Sequence, residues 1–234
     1  MLVNGKRHKT LWVEKQTVKI IDQTKLPFQF KIIDLKNLDD FCDAIFNMRV
    51  RGAPLIGVTA SFGMAVSINK DSSNENLDRT YEKLISTRPT AVNLKWALDI
   101  MKKKILKTDL HLRSKEAIRL AKKISSQDEN SCEMIGKFGS QLIKKIYRKK
   151  KSIINILTHC NAGWLAAIDW GTALSPIYKA KRDGIPIHVW VDETRPRNQG
   201  ASLTAWELKN EDIPYTIVTD NAGGHLMHEK RVDL

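Results

Sequence analysis

After Lys151 the sequence alternates between two kinds of segment. Residues 153–157, 187–191 and 215–218 are short runs rich in β-branched and aromatic side chains, bounded by polar residues, which is how buried strands read. Stretches of helical character lie between them, near 163–182 and 201–210. Strand, helix, strand, helix in this order gives a parallel, Rossmann-like sheet, with ligands expected outside the carboxyl ends of the strands. Three polar segments then share one rim. They are Thr158-His159-Cys160-Asn161-Ala162-Gly163, the run from Asp192 through Glu193, Thr194, Arg195 and Gln199 to Gly200, and Thr219-Asp220-Asn221-Ala222-Gly223-Gly224-His225.

The first half reads differently. Leu11-Trp12-Val13 and Thr17-Val18-Lys19-Ile20-Ile21 are short strands, closed off by Pro27. Phe41, Ile45 and Met48 fall at helical spacing behind Asp39 and Asp40, the candidate caps. A helix from about Ala53 carries Gly57, Ala60 and Gly63 as a narrow face, and further helices are expected near 75–86, 91–105, 111–124 and 132–148. The polar run 125–131 reads as a hinge. The expected architecture is α/β: a small N-terminal domain of short strands plus helices, residues 1–130, then a Rossmann-like domain, residues 131–234. That second domain is expected to be incomplete at its C-terminal end, since a last strand is only begun at Val232-Asp233-Leu234. A sheet stopped there is expected to leave an edge and an apolar face uncovered.

No apolar stretch approaches the roughly 20 residues of a spanning helix, and no apolar signal region follows the basic N-terminus, so a cytoplasmic protein is expected. The three cysteines, Cys42, Cys132 and Cys160, are too far apart for a zinc set and odd in number for a disulfide framework. Net charge is +13, mostly from lysine runs, but aromatics make up only 7% and are scattered, which argues against a sheet-type RNA reader. Solvated lysine faces account for the charge, and an anionic substrate is compatible with it.

Two loop-to-helix junctions carry an arginine. In "RGAPLIG", Arg51 and Gly52 precede a helix with Pro54 in its first turn; in "STRPTAVNLKWAL", Arg88 and Pro89 precede Thr90, a natural N-cap. Unpaired amides at a helix start, with an arginine beside them, bind anions. On spacing alone the Arg51 junction reads as an ordinary loop-to-helix junction with a solvated arginine; a second one in the same small domain strengthens the case for a shared phosphate site. Cys160 reads either as a small buried residue or as a working thiol at a strand end, and its polar turn favours the second. His159 points away from its neighbour on an extended segment and reads as structural.

Taken in order, "TVKIIDQTKLP", "RGAPLIGVTASFG", "RPTAVNLKWAL", "ILTHCNAGWLA", "GTALSPIYKA", "HVWVDETRPRNQGASLTAWEL" and "TDNAGGHLM" resemble the methylthioribose-1-phosphate isomerase family. That family shares its fold with the regulatory subunits of the eukaryotic initiation-factor exchange complex. The resemblance implies an aldose–ketose isomerase of methionine salvage that works without metal or organic cofactor, as a homodimer, with no nucleic-acid or membrane partner. It implies Cys160 as the catalytic residue, with Arg51, Gly52, Ala53, Arg88 and Gln199 contacting substrate. The family's donor aspartate, in a Gly-Ala-Asp-Arg turn, has no counterpart in these residues, nor has its Asn-Lys pair. Asp220 is the nearest strand-end carboxylate, and the family does not give it that role. A chain without the donor is expected to lose most turnover, since general acid help is worth about 10²–10⁴ in rate. The alternative is a non-catalytic regulatory or binding relative of the exchange-complex subunits.

Overall fold

The computed structural model describes residues 1–234, and the chain forms two compact units. One comprises Thr10–Lys25 and Phe30–Asp128; the other comprises Met1–Lys9, Leu26–Gln29 and Glu129–Leu234. The opening hairpin of β1 (Leu2–Val3) and β2 (Lys6–Arg7) belongs to the second of these.

The first unit sets an antiparallel sheet of β3 (Leu11–Glu14), β4 (Thr17–Ile21) and β5 (Ile32–Leu35) beside a set of helices. Val18, Ile20 and Ile21 of β4 are buried, as the β-branched run requires. Helix α1 (Leu38–Phe46) is capped by Asn37, not by the expected Asp39 or Asp40. Asn37 is extended, and its side chain accepts the Asp40 amide while the Asp40 carboxylate accepts the Asn37 amide. Asp40 is therefore the third-position partner of a capping box. Helix α2 (Ala53–Lys70) is buried through most of its length, which suits a helix apolar on every side. Its small residues serve two neighbours. Gly57 approaches Asn93 of α4 (Val92–Leu106), and Gly63 approaches Phe41 of α1. Helix α3 (Asn74–Ile85) is capped by Ser73.

Thr90 does not cap α4 as expected. The Ala91 amide donates to the Arg88 carbonyl, so Thr90 lies exposed inside a turn and the helix starts one residue later without a side-chain cap. The expected hinge at 125–131 is also helical: α5 runs unbroken from Arg113 to Lys150. No glycine or proline interrupts 125–131, and its polar residues lie on exposed or half-buried turns of a helix that buries Ile124 and Cys132.

The second unit is built on the parallel sheet β6 (Ile154–Thr158), β7 (Ile187–Asp192) and β8 (Tyr215–Val218), in that order. Ile156 pairs with Val189, and Val191 with Ile217. The connections carry α6 (Ser175–Arg182) and α7 (Ala205–Asn210), and α8 (Ala222–His228) follows β8. Residues 163–174 are not the helix that the sequence suggests. They hold one short 3-10 turn, Trp164–Ala166, before α6 opens with proline in its first turn. The candidate strand at 232–234 is not a regular strand, although Asp233 and Leu234 exchange backbone hydrogen bonds with Asn155 and Leu157 on the free edge of β6. No helix is long and apolar enough to cross a membrane.

Candidate active site

In the second unit the three polar strand ends do meet. β6 delivers His159 and Cys160, β7 delivers Asp192 and Thr194, and the residues after β8 deliver Asp220. His159 Nδ1 lies 3.2 Å from Asp192 Oδ2, and the histidine side chain is 63% exposed. Asp220 accepts the Thr194 and Arg195 amides at 2.7 and 2.8 Å. Those amides, Arg195 first, hold its carboxyl below the usual aspartate range.

Cys160 is clamped at both ends of its own backbone. Its N–H donates to Thr194 Oγ1 at 2.7 Å, and its carbonyl accepts from Thr204 Oγ1 at 2.7 Å. Cys160 sits at φ +61° and Thr194 also at φ +61°, a left-handed region that is uncommon for non-glycine residues and more so for a β-branched one. Such a conformation costs about 1–3 kcal/mol and persists where the surroundings over-determine it, typically at functional sites. Cys160 is half-buried at this strained turn, whereas Cys132 is 2% exposed within α5 and the half-buried Cys42 lies within the regular helix α1.

The clamp rests on a buried acid that no sequence motif singles out. Glu207 is fully buried in the first turn of α7. One oxygen accepts from Asn161 Nδ2 at 2.8 Å and from the Leu165 amide at 3.0 Å; the other accepts from the Trp164 amide at 3.0 Å and from the Tyr178 hydroxyl at 2.5 Å. Asn161 Nδ2 also reaches Thr204 Oγ1, the hydroxyl that holds the Cys160 carbonyl. Trp164 and Leu165 give their amides to this carboxylate at the start of the short 3-10 turn Trp164–Ala166. Burial raises the pKa of Glu207 against the pull of these donors, and burial first, then Glu207, pushes that of Tyr178 well up.

Gln199 is half-buried in the turn before the π-helical stretch Gly200–Thr204 that leads into α7. One grouping has a metal-like donor set: single ligand atoms of His159, Asp192 and Asp220 lie within 4.8 Å of one another. Both Asp220 oxygens already accept backbone amides, so the trio reads as a local brace for the β7 turn.

In the first unit, Arg51 is half-buried and Gly52, at φ +93°, is the cap residue of α2, a backbone position suited to glycine. Ala53 is exposed at the first position of α2, and Arg88 is half-buried ahead of α4. Neither α2 nor α4 has a side-chain cap. A Cβ on Gly57 would stand 2.9 Å from the Asn93 carbonyl, so the second turn of α2 lies against the first turn of α4. Sequence spacing alone did not show that adjacency.

These features define an α/β protein with a clamped thiol at the carboxyl end of a parallel strand and, in its other unit, paired helix starts flanked by arginines. The chain belongs to the initiation factor 2 subunit family, whose model matches residues 49–234. It is 54% identical to a methylthioribose-1-phosphate isomerase of Escherichia coli O45:K1 over its whole length, and 52% identical to one of Paramagnetospirillum magneticum. It spans 64% and 65% of the length of these relatives. Among solved structures, the 5-methylthioribose 1-phosphate isomerase of Pyrococcus horikoshii OT3 superposes with a TM-score of 0.84 at 36% identity, over 97% of this chain and 64% of that one. The translation initiation factor eIF-2B subunit delta of A. fulgidus gives 0.82 at 34%, over 97% of this chain and 66% of that one.

Proposed function

We propose that this protein converts 5-methylthioribose 1-phosphate to 5-methylthioribulose 1-phosphate, with Cys160 as its catalytic residue. The observation that carries the reading is the Cys160 turn: a half-buried thiol held left-handed by hydroxyls on both sides at a strand end, in a chain 54% identical to an isomerase of this name. An aldose phosphorylated at C1 is locked as a ring, because the phosphate blocks hemiacetal opening. The reaction therefore needs an acid to open the ring and a group that manages transfer between C2 and C1. Cys160 takes the second task. Arg51, Gly52 and Ala53 at the start of α2, with Arg88 ahead of α4, bind the phosphate through charge and uncapped amides, and Gln199 contacts the sugar.

The protein acts in the cytoplasm as a homodimer, without a nucleic-acid partner. Incubation with the aldose phosphate, followed by NMR for the ketose product, tests the assignment. Turnover of a different sugar phosphate with none of this one would refute it.

The 34% identity to the A. fulgidus initiation-factor subunit supports a second reading, a non-catalytic regulatory or binding protein. Salt-sensitive binding to tRNA or a translation factor, without affinity for sugar phosphates, would favour it.

A further inference from the structure

We infer that Glu207 is a positioning residue for Cys160: a buried carboxylate that locks the 160–165 turn and so fixes where the thiol points. The inference rests on the reading of Cys160 as catalytic, but its test does not need turnover.

Three partners of Glu207 can only donate: the Trp164 and Leu165 amides and the Asn161 Nδ2 amide. The Tyr178 hydroxyl can donate or accept, so the set is satisfied with or without a proton on Glu207. What it needs is an acceptor oxygen on each side, which selects a carboxyl group over the amide of a glutamine. A buried carboxyl group is unfavourable in a core and is tolerated when hydrogen-bonded on all sides. Three of the four partners belong to the turn that begins at Cys160.

The path from carboxylate to thiol is short and has one polarity. Glu207 orients the Asn161 amide, whose Nδ2 also donates to Thr204 Oγ1 at 3.2 Å. With its lone pair so occupied, that hydroxyl directs its proton at the Cys160 carbonyl. On the other side, Thr194 Oγ1 accepts the Cys160 amide and donates to the Asp192 carbonyl at 3.1 Å. The left-handed backbone of Cys160 is thereby fixed from both directions. Replacing one carboxyl oxygen by the NH2 of a glutamine sets donor against donor and loosens Asn161 or the 164–165 amides, so the turn can relax to an unstrained conformation.

The test measures alkylation of Cys160 by iodoacetamide, resolved by peptide mass spectrometry at a pH where the thiol is fully ionised. The synthetic decapeptide LTHCNAGWLA, residues 157–166, is the unstructured reference. Cys132 is the internal control, because it lies buried in the same unit with its carbonyl bonded to Ser175 Oγ. In the parent, Cys160 should react about tenfold more slowly than the peptide, a factor equivalent to about 1.4 kcal/mol. In Glu207→Gln its rate should rise to that of the peptide while Cys132 stays protected. Tyr178→Phe, which removes one donor and keeps the carboxylate, should move it part of the way, and serves if Glu207→Gln does not fold.

A general stabilising role would leave the Cys160 rate at its parent value, or would release Cys132 together with it. Either result overturns the inference. Failure of the isomerase reading would instead appear as absent ketose product with the alkylation pattern as described, so the two failures are distinguishable.

Discussion

Gly163→Ala probes the buried carboxylate with one methyl group. Gly163 has φ −89°, an ordinary value, so alanine meets no backbone strain there. What it meets is Glu207: an added Cβ would lie 1.8 Å from Oε2, 2.5 Å from Cδ and 2.7 Å from Oε1. The carboxylate cannot retreat without releasing the Trp164 or Leu165 amide or the Tyr178 hydroxyl. Overpacking a filled core costs about 1–3 kcal/mol. Leaving one buried donor unsatisfied adds about 1–3 kcal/mol. The variant should therefore lose about 2–6 kcal/mol, a large share of the roughly 5–15 kcal/mol of a typical domain. Urea unfolding followed by tryptophan fluorescence reads this directly, since Trp164 is buried beside the site. Gly224→Ala is the control, because a Cβ there meets nothing within 4 Å in helix α8; it should be neutral or gain up to about 1 kcal/mol. A loss below about 1 kcal/mol in Gly163→Ala would show that Glu207 is not held as described.

Three other outcomes follow from the same geometry. Gly52→Ala, at φ +93°, should destabilise the first unit by about 1–3 kcal/mol in thermal or urea melts, and an unchanged melt would contradict the backbone argument. Arg51→Ala should weaken binding of the sugar phosphate by about 1.5–3 kcal/mol in calorimetry and leave unphosphorylated methylthioribose nearly unaffected; equal losses for both would show that Arg51 does not bind phosphate. Glu207 has a folded pKa raised by burial, so its favourable contribution is complete below the ordinary glutamate range and is lost as pH rises through the raised value. Unfolding free energy should fall with pH across that window, and Glu207→Gln should flatten the fall in urea titrations at stepped pH; an unchanged slope would contradict the assignment.

The parallel sheet was legible because its strands are compact β-branched runs with polar ends, and a period of two is hard to mistake for a helix there. The convergence of Thr158–Gly163, Asp192–Gly200 and the Asp220 segment followed from that alone. The long helix α5 was not legible across 125–131, because a solvent-facing helical turn and a loop share the same polar composition; the missing glycine and proline were the usable signal. The segment 163–174 was not legible as a turn, and its partner was not legible either: Glu207 lies some forty residues away in sequence, and a lone acid in "TAWEL" carries no local mark of burial. Thr90 and Asn37 show the same limit at helix starts: which of several capping residues acts depends on where the preceding turn closes. The arginine junctions were readable one by one, whereas the adjacency of α2 and α4 needed the Gly57–Asn93 approach.

The central claim is that Cys160 performs chemistry on a sugar phosphate. The most direct measurement is steady-state conversion of 5-methylthioribose 1-phosphate by the parent and by Cys160→Ser, with substrate affinity measured in parallel. The account predicts a fall in kcat of about 10² or more with the dissociation constant nearly unchanged, since serine keeps the backbone clamp and removes only the thiol. A Cys160→Ser protein turning over within about twofold of the parent would contradict it.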